Sequence, residues 1–281
     1  MRSVPTVFAL LLAGCGPEFE RPSVVNSLRI LAVRADPAAV APGESTTLTA
    51  LVADPLGDGR AATYNWGACV TFDGPTPGIL LPSDCASSTD DLPVPGTPSA
   101  DGSEIAVTVP PETAKLASIE SLTGQSGTFG LPVRLLVDAG DERRIAIVPV
   151  SVVLEGEPNK NPAIEALTEG GSPWPAAEPR TVRQDPPLFL SATWPEGAAE
   201  SYSYVARGSK EVVNTQEILA VNWYSSVGEL NPDVTSDGFP EAALTLDPDN
   251  PPPGGADLRL WVVLSDGRGG VAWTDRPLAV P

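Results

Sequence analysis

The sequence predicts an all-β chain built as two tandem sandwiches. Three observations predict this. Short stretches alternate apolar and polar residues and are separated by turns rich in Gly, Pro and Asp. The pattern occurs twice, once on each side of the charged, proline-bearing segment EGEPNKNP. Only PETAKLASIESL (111–122) has helical spacing, through Leu116, Ile119 and Leu122, and it reads as a short crossover helix.

In chain order, SLRILAVRA (27–35) is the first strand and stops at Asp36-Pro37, after which APGES turns the chain. TTLTALVA alternates through Leu48, Ala50 and Val52, and TYNW sets Tyr64 and Trp66 on one face. EIAVTV alternates Ile105, Val107 and Val109 before Pro110-Pro111 ends it. LPVRLLVD (131–138) and RIAIVPVSVVL (144–154) flank a tight Ala-Gly-Asp-Glu turn and read as a hairpin. Beyond the linker, PLFLSATW (187–194), EILAVNWYSSVG (217–228), EAALTLD and DLRLWVVLSDGRGGVAWTDRPLAV repeat the pattern. A proline-rich run (170–187) precedes them, and an insertion (197–216) carries one extra strand. The two closing hairpins match in character, and YNW in the first half matches VNW in the second.

Each half resembles a bacterial immunoglobulin-like or PKD-like module, with an aromatic-bearing middle strand and a terminal hairpin. The resemblance implies two tandem immunoglobulin-like β-sandwich domains, 28–155 and 163–281, joined by a linker at 156–162. It also implies that Trp66 and Trp223 pack between the sheets of their respective halves.

Arg2 precedes a short apolar core from Val4 to Leu12, broken only by Pro5 and Thr6. Such a core is shorter than the roughly 20 residues a membrane-spanning helix needs, and has the layout of a secretory signal. Leu12-Ala13-Gly14-Cys15 resembles the lipobox of bacterial lipoproteins. By that resemblance 1–14 is a cleaved signal peptide, Cys15 carries diacylglycerol and an acylated amino group, and 15–27 is a lipidated tether. Two or three acyl chains, at about 0.8 kcal/mol per buried CH₂, hold a protein at a membrane where one is marginal. Gly16 in place of aspartate implies transport to the outer membrane, periplasmic or surface-exposed. The whole arrangement resembles predicted surface lipoproteins of GC-rich Gram-negative bacteria, a group that implies no known activity.

With Cys15 assigned to lipid, Cys69 and Cys85 remain, and an even pair in an exported protein most simply forms a disulfide. Closing a loop of about 16 residues stabilises by roughly 3 kcal/mol in the chain-entropy account. The intervening loop, rich in Gly and Pro, is not expected to hold regular structure alone. A metal site would need further ligands, and a redox pair would usually be Cys-x-x-Cys.

The 281 residues include 42% hydrophobic side chains, enough for a sizeable core, and a formal charge of −19. So acidic a body repels phosphate backbones, so nucleic acid is not an expected partner. Histidine is absent, which removes every Ser-His and Cys-His arrangement, and no enzyme is expected. DGRGG (266–270) lies between two strands and reads as a hairpin turn, not a phosphate loop. DPDN (247–250), Asp233, Asp237 and Asp257 offer oxygen ligands suited to Ca²⁺, but without diagnostic spacing they read as solvated turns. No metal or cofactor is expected. Trp174 and Trp194 are flanked by proline in SPWPA and ATWPE. They are candidate ligand-binding platforms for a polysaccharide, or else cap the sandwich ends or the domain junction. These readings converge on a lipid-anchored envelope protein with a non-catalytic binding, adhesion or structural role. Its expected partners are the membrane, through its N-terminal lipid, and an unidentified envelope or extracellular protein, with a polysaccharide as the alternative.

Overall fold

A computed structural model describes residues 21–71, 78–79, 82–88, 92–118, 127–205, 211–247, 251–252 and 257–281. The first half runs β1 (Arg29–Asp36), β2 (Ala39–Val40), β3 (Ser45–Ala53), β4 (Thr63–Ala68), β5 (Val70–Thr71), β6 (Gly78–Ile79), α1 (Pro82–Ser87), β7 (Gly96–Pro98), β8 (Glu104–Thr108), β9 (Thr128–Ala139) and β10 (Glu142–Val153). One sheet has the order β1-β3-β8-β7 and the other β2-β10-β9-β4. Because β2 runs parallel to β10 after the chain leaves β1, the order is that of an immunoglobulin sandwich, ABED against A′GFC. Alternation fills the space between the sheets. Leu48, Ile105, Val107, Val133, Leu135 and Trp66 are buried there, and the Trp66 indole N–H donates to the Gly102 carbonyl at 2.9 Å.

The second half runs β11 (Ala166–Glu169), β12 (Ser172–Pro173), β13 (Arg180–Thr181), β14 (Leu188–Thr193), β15 (Ser201–Val205), β16 (Val212–Gln216), β17 (Ala220–Ser225), β18 (Glu229–Asn231), β19 (Val234–Ser236), β20 (Glu241–Thr245), β21 (Arg259–Ser265) and β22 (Val271–Ala279). Its sheets are β12-β11-β14-β20-β18 and β13-β22-β21-β17-β19. Again a short strand, β13, joins the final strand in parallel. Trp223 sits in the middle of this core at 1% exposure, and its indole N–H reaches the Thr235 hydroxyl at 2.8 Å. Both tryptophans therefore lie between the sheets, as the family resemblance implies.

Several local expectations change. The stretch with helical spacing forms a 3-10 helix over Pro111–Ser118, and residues 119–122 lie outside the described residues. The loop between the cysteines holds the short helix α1, which carries Cys85. The 197–216 insertion is a two-stranded hairpin, β15–β16, with one strand more than expected.

The two sandwiches meet along their strands. In β21, Leu260, Val262 and Leu264 point into the second core, while Trp261 and Val263 are buried on the opposite face. That opposite face is covered by the first sandwich. Val25, Ala53 and Trp261 form a third apolar cluster, with Leu31, Leu51 and Tyr224 packed against it. A bulge in β1 assists: Ile30 pairs with Val52 and Ala32 with Leu51, so Leu31 is left out of the ladder and is free to turn toward the joint. Arg34 lies over the Trp273 ring at 4.9 Å from its centroid.

Two chain segments lace the joint. Residues 21–28 run along the end of β17: the Val25 N–H donates to the Ser225 carbonyl at 2.8 Å, and Arg21 pairs with Glu229 at 3.0 Å. The polar linker is pinned as well. The Asn161 side chain donates to the Ala35 carbonyl at 2.7 Å and accepts from the Val271 N–H at 2.9 Å, so one amide bridges both sandwiches. Asn159 is 4% exposed and donates to Asp266 at 2.8 Å.

These contacts generate a stability prediction. In urea unfolding, Trp261→Ala costs about 3–5 kcal/mol, the range for truncating a buried large aromatic. Asn161→Ala costs about 1–3 kcal/mol, because it leaves a carbonyl and an N–H unpaired. Val94→Ala, at an exposed site of the first sandwich, costs less than about 0.5 kcal/mol. Equal costs for the three substitutions would contradict this description of the joint.

Candidate functional site

Alternation along β17 fixes what each face of the second sandwich presents. Leu219, Val221 and Trp223 are buried in the core, so Ala220, Asn222 and Tyr224 of β17 point to the opposite side, and Ile218, just before the strand, is exposed. Register carries that side across the sheet. Val234, Asn222, Val263 and Trp273 form one row, and Tyr224, Trp261 and Asp275 form the next. The first sandwich covers the Trp261 end of this face. Toward the edge strand β19 the same face continues uncovered: Val234 is 49% exposed, and Ile218 and Phe239 are each 75% exposed. Phe239 is held beside Ser236 by a reciprocal pair of backbone hydrogen bonds at 2.9 and 3.1 Å. Ser236 in turn pairs with Ala220, two residues from Ile218, so the exposed side chains share one end of the sheet. Asp237 stands exposed in the turn before Phe239, exposed Glu241 opens β20 of the other sheet two residues after it, and from 211 to 258 the sequence has no Lys or Arg.

A charged network lies at the linker. Lys160 pairs with Glu200 at 2.8 Å, and Arg268 pairs with the buried Glu217 at 2.8 Å while stacking over Tyr202 at 4.3 Å from the ring centroid. The second Glu217 oxygen accepts the Glu200 N–H at 2.8 Å. Asp266 accepts from the N–H groups of Arg268 and Gly270, which closes the β21–β22 turn as a hairpin turn. A cleft of about 290 Å³ opens beside this network, lined in part by Glu155, Glu157, Glu200, Tyr202 and Arg268. A second, of about 250 Å³, lies at the joint between Asp54, Asp257, Arg259, Trp261 and Asp275. There Arg259 is held by Asp257 and Asp275, and Asp54 by Arg60, so the charges answer one another.

The residues singled out from sequence fall as follows. Cys69 and Cys85 are joined as a disulfide with Cα atoms 5.6 Å apart, and the bond ties the end of β4 to α1. Trp174 is corrected from a ligand platform to a core residue. It is 2% exposed within the second core, its indole N–H donates to the Glu178 carbonyl at 2.7 Å, and no ring face is left for a sugar. Trp194 is half-buried against the same cluster. Asp257 pairs with Arg259, and Asp237 stands exposed in the turn before Phe239. Among the described residues, no group of three or more Cys, Asp or Glu side chains is placed to hold a metal ion. Cys15 and residues 248–250 lie outside the described residues. Ile218, Val234, Phe239, Asn159 and Asn161 were not foreseen. The core parity of Leu219, Val221 and Trp223 was the signal available for Ile218, and the run without Lys or Arg was the signal for the acidic flank.

No known protein family matches the chain, and no curated protein matches it. Among solved structures, the chain is similar to the insect immune protein hemolin at 11% identity, over 91% of this chain and 47% of hemolin, with a TM-score of 0.25. It is also similar to the tandem immunoglobulin repeats of Dlar at 10% identity, over 92% and 99% of the two chains, with a TM-score of 0.28. A third similarity is to the Yersinia pseudotuberculosis adhesin InvE, at 11% identity over 90% and 60%, with a TM-score of 0.21. The chain spans less than half of the hemolin chain it matches. At such scores the likeness carries no argument about role, and the immunoglobulin order rests on the strand pairings themselves.

Glu217 of this network and Glu142, paired with Arg60 in the first sandwich, make stability depend on pH in opposite directions. Burial raises the Glu217 carboxyl above its ordinary value. A raised carboxyl binds its proton more tightly in the fold, so its contribution is present at low pH and is lost as pH rises past about 4.3. Arg60 holds Glu142 below its ordinary value, so that contribution is present at neutral pH and is lost on acidification. Urea unfolding at pH 4, 5.5 and 7 should therefore show the stability of wild type relative to Glu217→Gln falling as pH rises. Relative to Glu142→Gln, it should rise. A flat difference in both series would contradict the assignment.

Proposed function

We propose that the protein is a lipid-anchored envelope protein that binds a partner protein through its immunoglobulin-like domains and performs no chemistry itself. The observation that carries the binding role is the uncovered apolar strip of Ile218, Val234 and Phe239. It continues the face that the two sandwiches use to bind each other. An apolar surface left open beside a buried joint is what a protein interface presents before it is occupied. The non-catalytic reading is supported by a chain without histidine whose pair Cys69 and Cys85 is oxidised. A glycan-binding role for Trp174 or Trp194 has no support from a buried and a half-buried ring.

The anchor rests on the lipobox-like Leu12-Ala13-Gly14-Cys15, and outer-membrane delivery rests on Gly16. Under this reading the five residues from Gly16 to Glu20 span at most about 18 Å before Arg21, which pairs with Glu229 at the far end of β17 from Ile218. Ile218 then lies a full strand length from the anchored end, about 20 Å for six residues, with Val234 between them opposite Asn222.

Mass spectrometry of the N-terminal peptide from separated membrane fractions tests the anchor. An acylated Cys15 in the outer-membrane fraction, with Cys15→Ala released or uncleaved, is the expected result. An unmodified N-terminus in wild type would overturn it.

A further inference from the structure

We infer that the uncovered strip receives a cationic polypeptide surface, one that sets an apolar side chain between Lys or Arg residues. The inference deepens the binding role proposed above and rests on it. Its first support is continuity with an established interface. The row from Trp273 through Val263 and Asn222 to Val234 is a single outward face, closed by the first sandwich at one end and open at the other. A partner seated on the open end would abut the first sandwich and extend a joint already built on apolar contact. Ile218 and Phe239, each 75% exposed, are the anchors such a partner would cover.

The second support is charge. The segment 211–258 contains nine carboxylates and no Lys or Arg. Glu217 and Glu229 are paired by Arg268 and Arg21, and Asp257 by Arg259, from outside the segment. Asp237 and Glu241 stand exposed on either side of Phe239, where no basic residue is near in sequence. An apolar centre beside the exposed Asp237, on a segment without Lys or Arg, discriminates by charge. It repels acidic surfaces, including a second copy of this chain with its net charge of −19, and attracts a basic rim. Anionic membrane lipid is disfavoured on the same ground.

The test uses the full chain and three synthetic heptapeptides as probes, read by fluorescence anisotropy. One alternates Lys with Phe and Ile, one alternates Lys with Gly, and one alternates Glu with Phe and Ile. The Lys peptide bearing Phe and Ile should bind, and its binding should weaken with added salt. Ile218→Ser combined with Phe239→Ser should weaken it by about tenfold or more. Asp237→Lys with Glu241→Lys should weaken it as well while leaving the apolar anchors in place. Val94→Ser, at an exposed apolar site of the first sandwich, should leave it unchanged. All four positions of the strip variants lie at the surface, and unchanged melting temperatures confirm that the fold is intact. Binding of the Lys and Gly peptide that is as tight and indifferent to the variants would overturn the inference, as would equal binding of the Glu peptide or no binding at all. Sedimentation that shows wild type dimeric and the Ile218, Phe239 variant monomeric would also overturn it, by assigning the strip to a second copy. None of these readings depends on acylation, so a failed peptide test and a failed anchor test are separate results.

Discussion

Strand β21 is buried on both faces, and much of the molecule follows from that. In an antiparallel sandwich one face of a sheet is expected to meet water. Here Leu260, Val262 and Leu264 fill the second core while Trp261 and Val263 need a cover of their own. For Trp261 the first sandwich supplies it with Leu51 and Ala53 from β3 and Leu31 from the bulge in β1. Once the sandwiches lie side by side, the connecting residues have little slack. Asn159 and Asn161 satisfy backbone and carboxylate groups on both sides, and residues 21–28 close the other end of the joint. The polar linker thus becomes a structural part through its hydrogen bonds, and residues 21–28 through the Val25 backbone bond and the burial of Val25 and Leu28.

The parts of the fold legible in the sequence were those set by short-range alternation. The matched YNW and VNW stretches became two buried tryptophans on equivalent strands, and the closing hairpins became β9–β10 and β21–β22. The expected pair of Cys69 and Cys85 is a disulfide, a pairing that their number suggested and the loop sequence between them did not. What was not legible depends on hydrogen-bond partners that apolar periodicity does not reveal. Trp174, between two prolines, looked like a loop residue, yet its N–H groups find the carbonyls of Leu167 and Glu178 and draw the ring inside. The charged linker looked unstructured because its acceptors, Ala35 and Asp266, lie more than 100 residues away in the chain. The run LRLWVVLS carried a usable sign of the joint, since a strand apolar on both faces asks for two covers.

The joint also determines what remains available for recognition. Had the sandwiches been strung end to end, the whole outward face of the second one would be open, with Trp261 at its centre. Lateral packing spends the centre on intramolecular contact and leaves a margin of Ile218, Val234 and Phe239 beside Asp237. Val234 stands on β19, which pairs with the strand that buries Trp223, while Ile218 precedes β17 and Phe239 follows the turn after β19.

The most direct test of the side-by-side arrangement is differential scanning calorimetry of the intact chain. Two sandwiches sharing a third apolar cluster, a bridging amide and a docked N-terminal segment should unfold together. One transition, with calorimetric and van't Hoff enthalpies in agreement, is the predicted result. Two resolved transitions would contradict the account, because they would show that each sandwich melts without disturbing the other and that the covered face of β21 holds nothing together.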